Sequence, residues 1–431
     1  MARRLLSFAL LAFLASACDA REATTRAAAA ARKELTGQFV GSSVLISNAT
    51  LTTCTPRSWT FSQPGAPFVA VHFADFHVFQ GDVVTVATPD NSTSKLVSAP
   101  AGVTQFSSDR IPGPTAVVTF TPKDCRAAQP LPSEFKLEID AFQYAYKTSY
   151  SALGEDREIC GAGDQNMAAI CYKKAANVSA QIYKNALAVG RLMKTSGPGT
   201  PQIACTGFLL GSAGHFITNH HCIKDATEAN NSNFEFMVES PTCDASTCRQ
   251  LGDCANYGTV ESVGSDFLFA NEKYDFAIVK LRKKPCVVNG KYGFLRLRKA
   301  QAVAGEPIYL VQHPSGGGKM VVLQQEANSG KTDDNGSMNA PSASGNTTVQ
   351  LTQAIVSKLN DENTFGDFWT SYFADTEGGS SGSPVLSMND HIVLALHANS
   401  GCENSGTPSN LIIDEINKNS QAIGLPADAF A

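Results

Sequence analysis

Apolar and polar positions alternate over short runs from about residue 36 to residue 146. "FVAVHFADFHVF", "GDVVTVATPD", "TAVVTFTP" and "FKLEIDAF" each carry a period near two and end in Gly, Pro, Asn or Asp, as short strands do. Regular spacing of such strands predicts a small β-sandwich. His72 and His77 lie five apart, so in one strand they face opposite ways and read as structural. A second β-rich stretch runs from about Cys160 to the end, with room for a helix near 168–189. "PSNLIIDEINKNSQAIG" predicts a terminal helix with apolar positions Leu411, Ile412 and Ile416. The polar segment 328–348 reads as a long surface loop. A chain of 431 residues exceeds one compact core, so two domains are expected.

The first residues have a different character. Arg3 and Arg4 precede the apolar run Leu5–Leu14, then the small residues Ala15, Ser16 and Ala17. This is the layout of a secretory signal peptide, and the run is too short to span a bilayer. A lipidated Cys18 is the rival reading, disfavoured because Ala15 stands where that signal wants Leu. Twelve cysteines then fit disulfides in an oxidising compartment. Zinc is a poor alternative: Cys243, Cys248 and Cys254 show no Cys-x-x-Cys spacing and no nearby His. Sequons at Asn48, Asn91, Asn177, Asn230, Asn335 and Asn346 agree with export and glycosylation. A net charge of -5 argues against a nucleic-acid partner, and the runs "LRKK" and "LRLRK" are too short to reverse it.

The stretch "DTEGGSSGSPVL" raises the question of chemistry. A glycine–serine linker should be flanked by polar sequence, yet "FWTSYFAD" and "PVLSMNDHIVLALHA" read as buried strands. Ser380 satisfies Gly-x-Ser-x-Gly, but that elbow needs a helix to follow, and Pro384 and a strand follow instead. Ser381 is the better nucleophile, because a turn at Gly379 lets the N–H groups of Gly379 and Ser381 converge on one oxyanion. A serine nucleophile needs a base and an orienting acid. Upstream, "CTGFLLGSAGHFITNHHC" and "KYDFAIVKL" offer His220 or His221 and then Asp275. "HPSGGGKM" is not a phosphate loop, since Met320 stands where Ser or Thr is required.

Together these segments resemble secreted trypsin-like serine endopeptidases over about Cys160–Gly424. "TEGGSSGSPV", "QHPSGGGKM" and "LALHANSGC" resemble the V8-like and lysyl-endopeptidase branch. The resemblance selects His221, the His directly before Cys222, and implies the triad His221, Asp275 and Ser381. It also implies a Cys205–Cys222 disulfide around the base and a chymotrypsin-type double β-barrel that needs no cofactor or metal. Cys54–Cys125, which bracket the sandwich, and Cys160–Cys402 are the next expected pairs. Ser380 replaces the Asp that in trypsin binds a freed N-terminus, so trypsinogen-style activation is not expected. By resemblance, Asp375 marks a pocket floor that would select Lys or Arg. Thr376 and His397 resemble the glutamyl-endopeptidase pocket, which would select acidic side chains. The sandwich loosely resembles CUB domains and would take a protein or carbohydrate ligand. The expected organisation is a signal peptide at 1–20, an alanine-rich linker or propeptide at 21–35, a sandwich at 36–147 and a protease domain at 155–431. The expected product is a secreted, extracellular enzyme acting on proteins or peptides, with no membrane association after signal removal. A non-catalytic secreted binding protein on the same fold is the alternative class.

Overall fold

A computed structural model describes residues 38–99, 104–123, 131–150, 157–159, 163–173, 178–195, 202–254, 257–326, 351–363 and 366–431. The chain is mainly β. Where the sequence alternates, burial alternates: in Thr115–Thr121, Ala116, Val118 and Phe120 are buried while Thr115, Val117 and Thr119 are only partly covered. That strand joins Arg57–Ser62, Val83–Ala87 and Ser94–Leu96 in a four-stranded sheet. Its inner face meets Val69, Val71, Phe73 and Ile139 from a facing sheet, which completes a sandwich with its own core. His72 is buried and its Nδ1 lies 2.5 Å from Asp140, whereas His77 is exposed; a register shift after His72 brings both Phe73 and Phe76 into the core, so the two histidines share the other face instead of opposing each other as their spacing suggested.

The C-terminal half is a chymotrypsin-type pair of β-barrels. The first uses Val189–Thr195, Gln202–Leu210, His215–Thr218, Ser232–Phe236, Thr259–Val263, Ser265–Asn271 and Phe276–Leu281. Gly211 and Gly214 adopt φ of 64° and 77°, so the Gln202–Leu210/His215–Thr218 hairpin turns where left-handed backbone favours glycine. The second lies in an eight-stranded sheet that includes Ile308–Gln312, Pro384–Ser387, Val393–Asn399, Asn404–Pro408 and Gly366–Tyr372. Ile308–Gln312 is buried along its whole length, because it sits inside the sheet with both faces covered. The expected helices are present as Val178–Leu187 and, at the end, Ser409–Lys418 with Ser420–Ile423. Ile412, Ile413 and Ile416 face the core. The segment 328–348 and residues 1–35 lie outside the described residues.

Sandwich and barrel share one sheet, which the local pattern did not announce. Gln38–Thr50 pairs along Lys136–Tyr150 within the sandwich and, at Gln38↔Ala204 and Phe39↔Ile203, along the barrel strand that leads to Cys205. Phe68 and Ala145 of the sandwich pack with Met193, Ala204 and Leu251 in a small core at this seam. Arg110 of the sandwich shares the fully buried Glu235 with Arg191, each at 2.6 Å.

Candidate active site

The site is built where the Gln202–Leu210 strand meets the loop after Glu377. Cys205 and Cys222 form the expected disulfide, with Cα atoms 6.3 Å apart, and so hold the segment around His221 against that strand. Asp275 immediately precedes the strand Phe276–Leu281 and adopts φ 47°. Its Oδ1 accepts the backbone N–H of His221 at 3.1 Å and its Oδ2 lies 2.9 Å from His221 Nδ1. Asp275 is fully buried, and Asn219 Nδ2 donates to its carbonyl at 2.8 Å. A carboxylate only accepts, so Nδ1 carries the proton and Nε2 presents a lone pair. Among the described residues His221 Nε2 has no hydrogen-bond partner.

Thr206, the residue after Cys205, joins this segment to the serine loop. Its N–H donates to Ser381 O at 2.8 Å, its Oγ1 donates to Gly379 O at 2.8 Å and accepts the N–H of His313 at 3.0 Å, and its carbonyl accepts from Thr218 Oγ1 at 2.7 Å. Nothing in the local pattern announces this hub beyond its place beside a cysteine. Gly379 has φ 97°, and a Cβ there would lie 2.8 Å from His313 O and 2.9 Å from Gly316 N. Only glycine fits both the conformation and the approach. The alternate N–H groups are spent within the fold: Ser380 N donates to Glu377 O and Gly382 N to His397 O, each at 2.9 Å. Among the described residues the N–H groups of Gly379 and Ser381 have no acceptor. Ser380 is fully buried and its Oγ accepts the N–H of Glu377 at 3.2 Å, while Ser381 keeps 6% of its surface exposed.

Asp375, Thr376 and His397 lie buried behind this loop. Asp375 Oδ2 accepts the N–H of Gln165 at 2.6 Å, and Thr376 Oγ1 donates to Asn404 at 2.7 Å. His397 Nδ1 sits 2.8 Å from Tyr372 Oη, and burial, with His221 nearby, pushes its imidazole down to about 3. It is neutral near pH 7, so the cationic His397 that acidic selection would use is absent there. Among the described residues, Cys205, His221 and Cys222 are the one grouping with ligand atoms close enough for a metal. The two sulfurs are consumed in the disulfide, so they do not fit an ion.

Residues 205–396 match the trypsin-like peptidase domain. Secreted RxLR effector protein 73 of Plasmopara viticola is 31% identical over 357 residues, which span 81% of this chain and 79% of that protein. The chain is a relative of that effector and contains a trypsin-like peptidase domain. Solved structures to which it shows similarity include the serine endoprotease from Yersinia pestis, at 12% identity and TM-score 0.37 over 57% of this chain and 68% of that one. Deg5 is another, at 15% identity and TM-score 0.35 over 55% of this chain and 90% of that one. In this peptidase a further disulfide, Cys248–Cys254, closes a short loop that sequence reasoning left unpaired. Cys54 and Cys402 are also disulfide-bonded, and their expected partners Cys125 and Cys160 lie outside the described residues. Cys171, Cys243 and Cys286 carry free thiols.

Proposed function

We propose that this peptidase is a secreted serine endopeptidase that cleaves through an acyl-enzyme on Ser381. The observation that carries the reading is the pairing of an Asp275-anchored His221, Nε2 free, with a serine loop whose Gly379 and Ser381 N–H groups are unspent. His221 Nε2 takes the Ser381 Oγ proton as Oγ attacks the scissile carbonyl, and the two N–H groups receive the oxyanion. The amine leaves with the proton from His221, and water, deprotonated by the same nitrogen, releases the acid. Asp275 fixes the tautomer throughout. No cofactor enters these steps.

Cleavage after Lys or Arg is the preferred specificity. A carboxylate at Asp375 supports it, and the burial that lowers the His397 imidazole disfavours the cation on which the acidic alternative depends. Export is supported by the leader-like residues 1–20, the disulfides and the name of the relative, a secreted effector. No helix among the described residues is long and apolar enough to cross a membrane. We place the enzyme nearest the V8-like branch on its loop motifs, with the sandwich as a CUB-like protein- or carbohydrate-binding unit. Labelling the purified protein with a fluorophosphonate, followed by peptide mapping, tests the central claim. The adduct is expected on Ser381. An unlabelled, correctly folded protein would favour the non-catalytic binding protein instead.

A further inference from the structure

The serine loop does not hold its own shape. Gly378, Gly379 and Ser380 bring almost no side chain to the core, and Gly379 sits at φ 97°. Glycine gains little conformational preference from its own chemistry, so the orientation of the Gly379 N–H has to be imposed from outside. Glu377 is where the imposition enters. Its backbone grips Ser380 twice, by Ser380 N–H to Glu377 O at 2.9 Å and by Glu377 N–H to Ser380 Oγ at 3.2 Å. Its carboxylate, almost wholly buried, is held from both sides. Oε1 pairs with Arg249, and Oε2 accepts from Ser315 Oγ at 2.5 Å. Ser315 also donates its N–H to Gly378 O at 2.7 Å, so one neighbour fixes Glu377 and Gly378 together.

Arg249 arrives on a loop built to present it. The Cys248–Cys254 disulfide closes that loop, and Leu251 at its middle is buried against Phe68 and Ala145 of the sandwich. Gly318 N donates to Cys248 O at 2.8 Å, which joins the same loop to the Ser315 segment. The guanidinium nitrogen that meets Glu377, Nη2, makes a second contact, 2.5 Å to Asp164 Oδ2, so it sits between two carboxylates. A charged group placed against a nearly buried carboxylate, rather than an apolar filler, favours one geometry over many.

We propose that Arg249 is a positioning residue for catalysis: through Glu377 it sets the backbone of Gly378–Ser380 and so aims the Gly379 N–H at the oxyanion. The seam under Leu251 makes the sandwich part of that support. The inference rests on the serine-peptidase reading of Ser381.

The test uses the full chain and the fluorogenic peptide that wild type cleaves fastest from a series with Arg, Lys, Phe or Glu before the scissile bond. Arg249→Gln, Glu377→Gln and the double variant are compared by kcat, KM and the rate of fluorophosphonate labelling, with folding checked by circular dichroism. Loss of one oxyanion donor lowers kcat on the order of 10²-fold. Each single variant is expected to show a fall of that order with KM little changed, and the double variant to fall no further than either single, because the pair acts as one unit. An unchanged kcat in folded Arg249→Gln, a rise in KM alone, or losses that multiply in the double variant would overturn the clamp. Should Arg249→Gln not fold, Arg249→Lys keeps the charge on a shorter head that cannot take the Nη2 place between Glu377 and Asp164 in the same geometry, and there a smaller fall in kcat at constant KM supports the clamp while an unchanged kcat overturns it. Wild type that neither cleaves nor takes the fluorophosphonate overturns the serine-peptidase reading and the clamp with it, whereas active wild type with unaffected variants overturns the clamp alone.

Discussion

Asp275→Asn separates the geometry of the site from its chemistry. The amide has the shape of the carboxylate but offers one acceptor instead of two. Its orientation is decided by the backbone: the His221 N–H points at Oδ1 from 3.1 Å and needs an oxygen there. The Asn NH₂ therefore faces Nδ1, which lies 2.9 Å from Oδ2 in the native site. Nδ1 must then accept, the ring proton moves to Nε2, and the nitrogen proposed as the base for Ser381 can no longer take a proton. The flipped amide loses the backbone bond and sets NH₂ against N–H, which costs about 1–3 kcal/mol in a buried place. A trapped wrong tautomer lowers kcat on the order of 10⁴-fold, equivalent to about 5.5 kcal/mol of transition-state stabilisation. The assay is kcat/KM on a cleaved fluorogenic peptide, with the fluorophosphonate labelling rate falling in parallel and the thermal midpoint moving little. A variant that keeps more than a tenth of wild-type kcat/KM would refute the assignment of Asp275 as the orienting acid.

Ser381→Ala should lower kcat on the order of 10⁶-fold, whereas Ser380→Ala loses one 3.2 Å hydrogen bond and should cost about tenfold; a phosphonate adduct mapped to Ser380 would reverse the two roles. Thr206→Val keeps the shape but strips the bonds to Gly379 O and the His313 N–H, so kcat should drop with a stability loss of about 2–4 kcal/mol by urea titration. Asp375→Ser should slow cleavage after Arg and Lys far more than after Phe, and faster wild-type cleavage after Glu than after Arg at pH 7 would remove Asp375 as the selecting residue. His397 is held at about 3, and burial likewise lowers His215 and His313, so all three take protons less readily in the fold than in the unfolded chain, which protonates near 6.5. The native state then binds fewer protons in this window, and stability present above about pH 6.5 is lost as pH falls toward about 3. Calorimetry from pH 7 to pH 5 should show a falling midpoint, and a flat or rising one would contradict the neutral histidines.

Local sequence determined much of this protein. Period-two alternation marked strands such as Thr115–Thr121, because a strand half-buried in a sandwich must alternate. The Gly211–Gly214 turn and the cysteines on either side of it were legible because φ above zero and a closing disulfide each demand particular residue types. Apolar flanks showed that the glycine–serine run lay inside a domain. Choosing His221 over His220 needed a family pattern, since neighbouring histidines carry no distinguishing periodicity.

Tertiary structure alone decided the rest. Gln38–Thr50 bridges sandwich and barrel through backbone hydrogen bonds, which any side-chain sequence can make, so no pattern announces the partner strand. Thr206, Glu377 and Arg249 are ordinary residues in isolation. They matter because folding sets Thr206 173 positions from Gly379, and Arg249 128 positions from Glu377, within hydrogen-bond reach. The protonation of His397 was equally hidden, since the same imidazole titrates near 6.5 in water and is held neutral only once burial and His221 surround it.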